Sequence, residues 1–86
     1  MPRRQTRSIE GQRFGDTLRR LRNERGLSQE RLAEAASLTA DYIGFIERGE
    51  NVPTLTVLLK LAKALSVDAA ELLREFTLLA LKRMKL

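Results

Sequence analysis

Residues 28–49 read SQERLAEAASLTADYIGFIERG, and the fold is decided by the punctuation of this stretch. Ser28 supplies an N-cap oxygen ahead of Gln29, Glu30 and Arg31, and Glu30 suits the positive end of a helix dipole. Leu32, Ala35 and Ala36 make a short apolar face, so this helix is small and can pack closely. It runs out near Ser37. Leu38 is a buried spacer, and Thr39 caps a second short helix from Ala40 to about Arg48, with Ile43 and Ile46 inward and Gly49 closing it. Only Ser37, Leu38 and Thr39 separate the two helices. Generic helical pairs share that outline, so the flanking residues carry the decision.

Towards the N-terminus, Phe14, Leu18, Leu21 and Arg25 recur at helical spacing from about Ile9, while Arg13, Arg19, Arg20 and Asn23 fall on the solvent side. Gly26 ends this helix as a left-handed cap, and Leu27 turns the chain back to the core. Residues 1–8, with Pro2, Arg3, Arg4 and Arg7, read as a flexible basic arm. Towards the C-terminus, Glu50-Asn51-Val52-Pro53 is a loop, because Pro53 disfavours helix just before it. Thr54 caps a fourth helix carrying Leu55, Leu58, Leu59, Ala62 and Leu65. Ser66-Val67 is a break, and Asp68 and Glu71 have the spacing of a capping box. A fifth helix is expected from Ala69 towards the C-terminus. No strand pattern is present. The expectation is an all-α chain of five helices: an arm (1–8), a domain of helix-turn-helix type (9–73) and an extended C-terminal helix (74–86).

Composition limits the chemistry. The chain has 86 residues, one domain by size, with no cysteine and no histidine. Disulfides, thiol nucleophiles, Cys/His zinc sites and imidazole catalysis are thereby excluded. No pair of carboxylates sits among apolar residues in a way that suggests a raised pKa, so no enzyme is expected. No cofactor, metal or small-molecule ligand is implied. No apolar run approaches a membrane span, and a reducing, cytoplasmic setting is expected. The net charge of +5 is uneven: residues 1–27 carry eight basic and three acidic groups, residues 28–73 four and seven, and residues 74–86 four and one. Basic ends can attract a polyanion.

The residues then narrow the outline. The run Phe14-x3-Leu18-x2-Leu21-Arg22-x2-Arg25-Gly26-Leu27-Ser28-Gln29-x2-Leu32-Ala33 resembles the opening of the phage-repressor, or XRE-type, helix-turn-helix family. The likeness continues through Tyr42-Ile43-x2-Ile46-Glu47-Arg48-Gly49, then Pro53-Thr54-Leu55, then Leu58-x2-Leu61-Ala62-x2-Leu65. It implies that the third helix lies in the major groove of double-stranded DNA and meets base edges through Thr39, Ala40, Asp41, Tyr42, Gly44 and Phe45. It implies phosphate contact by Gln29, which also braces the recognition helix, and backbone contact by Ser28, Arg48 and Asn51. It further implies a largely buried ion pair between Arg22 and Glu47; the alternative is two surface charges. Arginine, the commonest reader of guanine, is missing from the third helix. Ala40 and Phe45 can meet thymine methyls. Asp41 can accept from cytosine N4 or simply stabilise a helix N-terminus, and Phe45 can instead be a partly covered hydrophobe. Ser37 stands where the family often has glycine. The arm, through Arg3, Arg4 and Arg7, either follows the minor groove or is a solvated tail.

Beyond the core, in residues 69–86, Leu72, Leu73, Phe76, Leu79, Ala80 and Met84 fall on one arc of a continuous helix, leaving out Leu78 and Leu81. Such an arc is a candidate homodimer interface, or else an end helix folded back as core. The layout is similar to that of the small controller proteins of restriction–modification systems. Two other readings stay open: an antitoxin-type DNA-binding protein that holds a toxin through the C-terminal helix, and a membrane-surface helix with Arg74, Lys82, Arg83 and Lys85 as its basic face.

Overall fold

The computed structural model describes residues 7–86; Arg3 and Arg4 of the expected arm lie outside the described residues. Six helices are present, with no strand among the described residues: α1 Ile9–Glu24, α2 Gln29–Ala36, α3 Ala40–Glu47, α4 Leu55–Leu65, α5 Ala69–Leu72 and α6 Leu78–Arg83. Capping sets most of these limits. Ser28, Thr39 and Thr54 each turn a hydroxyl oxygen onto a backbone N–H three residues on, those of Arg31, Tyr42 and Val57. Each thereby satisfies a donor that the helix itself leaves unpaired. Ser8 does the same for α1 by accepting from Gly11. Gly26, at φ 67°, closes α1 in the left-handed region.

The first four helices and α5 share one core. Leu18, Leu32, Ile43, Ile46, Leu61, Leu65 and Leu72 are its largest fully enclosed side chains, each worth about 1.5–3 kcal/mol of burial. Helices α1 and α3 cross closely at Gly15, where an added Cβ would collide with the Ile46 carbonyl oxygen and stand 2.7 Å from that of Glu47. No side chain fits there. That contact sets how deeply α3 is seated against α1.

Several expectations need correction. In α2 it is Ala33, with Leu32 and Ala36, that is buried, and Ala35 is exposed. Arg25 is exposed as well, at the C-cap of α1. In α4, Leu58, Leu61, Ala62 and Leu65 face the core, whereas Leu55 and Leu59 face solvent. Asp68 is the N-cap of α5 but makes no side-chain capping bond, so the capping box with Glu71 does not form. The extended C-terminal helix is broken. Helix α5 lasts four residues, the chain turns with the Phe76 N–H donating to the Leu73 carbonyl at 2.9 Å, and Thr77 caps α6 by accepting from Ala80. A straight helix would carry Met84 about 18 Å beyond Leu72 at 1.5 Å per residue. The break instead lets Phe76 pack on the core and leaves Met84 9% exposed.

Candidate nucleic-acid interface

Helix α3 is the element to which the candidate residues converge. Thr39, Asp41 and Phe45 are exposed on it, and Arg48 is exposed at its C-cap. Ala40 and Tyr42 are half-buried and packed against the core. Gly44, expected outward, is covered: Arg48 Nη1 lies 3.0 Å and Gln29 Oε1 3.8 Å from the place its Cβ would take. The Arg48 guanidinium also stands 5.2 Å from the centre of the Phe45 ring, within cation–π range. No arginine belongs to α3 itself, yet one lies back along its outward face from the helix end.

The tilt of that face is fixed from behind. Arg22 Nε donates to Glu47 Oε2 at 2.6 Å and Arg22 Nη2 to Glu47 Oε1 at 3.0 Å, a two-pronged pair joining α1 to the end of α3. Arg22 Nη1 donates to the Leu27 carbonyl at 2.7 Å, tying the same guanidinium to the chain before α2. Gln29 Nε2 donates to Glu47 Oε1 at 3.0 Å. Of the two uses expected of Gln29, this contact makes the bracing one with a single N–H and leaves the second amide N–H for the other. Glu47 is 2% exposed. Burial pushes its pKa up, but the hydrogen bonds from Arg22 and Gln29 and the charges of Arg22 and Arg19 outweigh that, and the carboxyl sits below its ordinary value. The hydrogen bond to Glu47 raises Arg22 in turn, against the opposing effect of burial. Three helices therefore meet at one ionised, fully partnered carboxylate.

The remaining candidates are spread around α3. Ser28 is exposed at the α2 N-terminus and Asn51 is half-buried in the loop between α3 and α4. The C-terminal set does not form one arc. Leu72 is wholly enclosed in the core and Met84 is buried. Phe76 and Ala80 are half-buried, and only Leu73 and Leu79 are exposed. Leu78 and Leu81, which fall outside the arc of a straight helix, are exposed as well.

The model of the helix-turn-helix domain family matches residues 13–75. The chain belongs to that family. This helix-turn-helix chain is 47% identical over 60 residues to the control protein C.SmaI of Serratia marcescens, covering 70% of this chain and 71% of that protein. Among solved structures it is similar to the restriction-modification controller protein C.AhdI from Aeromonas hydrophila, with 44% identity and a TM-score of 0.72 over 73% of this chain and 96% of that one. It is also similar to the clp gene regulator ClgR from Corynebacterium glutamicum, with 28% identity and a TM-score of 0.75 over 91% of this chain and 96% of that one.

One residue and one contact that shape the site lie outside the sequence expectations. Gly15 was available as a lone glycine inside a helical pattern, which often marks a close backbone approach. The stacking of Arg48 on Phe45 had no sequence signal beyond a three-residue spacing.

Proposed function

We propose that this helix-turn-helix regulator binds a palindromic operator as a homodimer and controls transcription in the manner of a restriction–modification controller protein. The observation that carries the reading is the outward face of α3, where Thr39, Asp41 and Phe45 project from a helix clamped by the Arg22–Glu47 pair. Ser28, Gln29, Arg48 and Asn51 flank that face and take the sugar-phosphate backbone, while Ala40, Tyr42 and Phe45 offer apolar contact to thymine methyls. With so few base-reading donors, DNA shape carries much of the preference and phosphates carry most of the affinity. Two copies related by a two-fold axis place their α3 helices about 34 Å apart, one turn of duplex. The chain divides functionally into the arm, the DNA-binding domain to residue 73, and a C-terminal segment that pairs the copies. Resemblance to control proteins supports the regulatory role. Among the described residues, no helix is long and apolar enough to cross a membrane.

Footprinting on the DNA upstream of the chain's own coding region tests this. The expected result is protection of two symmetric half-sites one helical turn apart, with binding that falls steeply as salt is raised. A single unsymmetric footprint, or affinity indifferent to salt, would count against it.

A further inference from the structure

Just beyond α3, the DNA-binding reading leaves one carboxylate without a task. Glu50 accepts from Arg48 through both oxygens, Nε to Oε2 and Nη2 to Oε1, each at 3.3 Å. It also accepts from Arg7 Nη2 at 3.4 Å. Two guanidiniums from distant parts of the chain thus converge on one carboxylate. Both arginine side chains are about half exposed, at 54% and 46%, while Glu50 is 25% exposed beneath them. The hydrogen bond from Arg48, helped by Arg7, holds the Glu50 carboxyl below its ordinary value, so it is charged at neutral pH. Arg48 meanwhile lies over Gly44 and Phe45, on the face assigned to DNA.

Two oxygens shared between guanidiniums are what a phosphodiester also offers. We propose that Glu50 is an internal stand-in for a DNA phosphate, which parks Arg48 and Arg7 beside the groove-reading face and gives both up to the backbone when a duplex docks. The inference rests on the DNA-binding reading above and concerns how that same site is tuned. Parking has two effects. It orders long side chains before binding, so less freedom is lost on docking. It also means that in the complex an unpartnered Glu50 stands beside phosphates and retains about one cation, cancelling part of the counterion release that drives association.

Asp16 makes a control for charge alone. It lines the same shallow cleft as Arg7, Arg19 and Arg48, and forms no ion pair among the described residues. The experiment measures affinity of the full chain for a duplex of about 20 base pairs, long enough for two half-sites one turn apart, between about 50 and 200 mM salt. Glu50→Gln should bind more tightly than the wild type, with a log–log salt slope steeper by about two, one for each subunit on the two half-sites, so that its advantage grows about twelve-fold from the high to the low end. In an R7A/R48A background the same change should bring no gain. The proposal is overturned if Glu50→Gln matches the wild type, if its gain survives without the two arginines, or if Asp16→Asn gives an equal gain. A wild type that binds no duplex even at low salt would sink the DNA-binding reading itself, and this inference with it.

Discussion

At the scale of single residues, Glu47 concentrates most of what holds the interface in place. It is enclosed and ionised, and it takes hydrogen bonds from Arg22 and Gln29. Removing its main partner leaves the buried carboxylate with only Gln29 and the half-exposed Arg19, so Arg22→Ala should cost up to about 3–5 kcal/mol. Thermal melting would register this, and DNA affinity should fall with it as α3 loses its brace; an unchanged melting temperature would contradict the buried pair. Acid gives a second readout. The Glu47 carboxyl titrates lower in the folded chain than in the unfolded one, so its contribution is fully present above the ordinary value of 4.5 and disappears as pH falls through the folded value. Urea titrations at a series of pH values should show stability dropping on that acid side. Glu47→Gln should flatten the drop while lowering stability at neutral pH. Gly44 offers the opposite separation. An alanine there gains about 0.5–1 kcal/mol over glycine inside a helix, but its Cβ meets Arg48 Nη1 at 3.0 Å and must push that flexible end aside. Gly44→Ala should therefore melt higher and bind DNA more weakly, and tighter binding would show that Arg48 was better placed elsewhere.

At the scale of elements, local chemistry was readable and side choice was not. Ser28, Thr39, Thr54 and Gly26 announce helix limits because a cap depends on the few residues beside it. Leu55 and Leu59 sit in the same periodic stripe as Leu58, Ala62 and Leu65, and nothing local says which edge of a wide stripe meets the core. The C-terminal break shows the converse. Thr77 before Leu78-Leu79-Ala80-Leu81 is an ordinary N-cap signal, hidden because Leu72, Phe76 and Ala80 keep helical spacing across it. Gly15 escapes notice because its reason lies across the domain, in the carbonyls of Ile46 and Glu47. The turn between α2 and α3 was legible in outline, and its strain can be measured. Ser37 sits at φ 58°, ψ 45°, a left-handed conformation that costs a residue with a Cβ about 1 kcal/mol more than glycine. Ser37→Gly should stabilise the chain by roughly that amount and raise Tm by about 4–8 °C. Differential scanning calorimetry decides it, and a lower Tm would mean that the serine makes up the cost by other contacts.

At the scale of the whole molecule, the domain leaves apolar surface that its own core does not use. Leu78 and Leu79 are 68% and 59% exposed on α6, and Leu55 and Leu59 are 70% and 49% exposed on α4. Exposed leucines in pairs on two elements are more than scattered surface hydrophobes and fit a covered interface. The C-terminal face is the one assigned above to the homodimer, although its members differ from those on a straight helix: Leu72 and Met84 serve the core, while Leu78 and Leu81 join Leu73 and Leu79 outside. Because Leu78 and Leu79 support no buried contact network, L78S/L79S should fold with an unchanged circular-dichroism spectrum yet sediment as a monomer. Its affinity for a two-half-site operator should drop by about 10²–10⁴, the advantage lost when two linked binding events become separate ones, while binding to a single half-site stays as it was. L55S/L59S provides the counterpart. Should that pair dissociate the dimer while L78S/L79S leaves it intact, the two-fold axis passes by α4, and the spacing of the two α3 helices on DNA has to be worked out from that face.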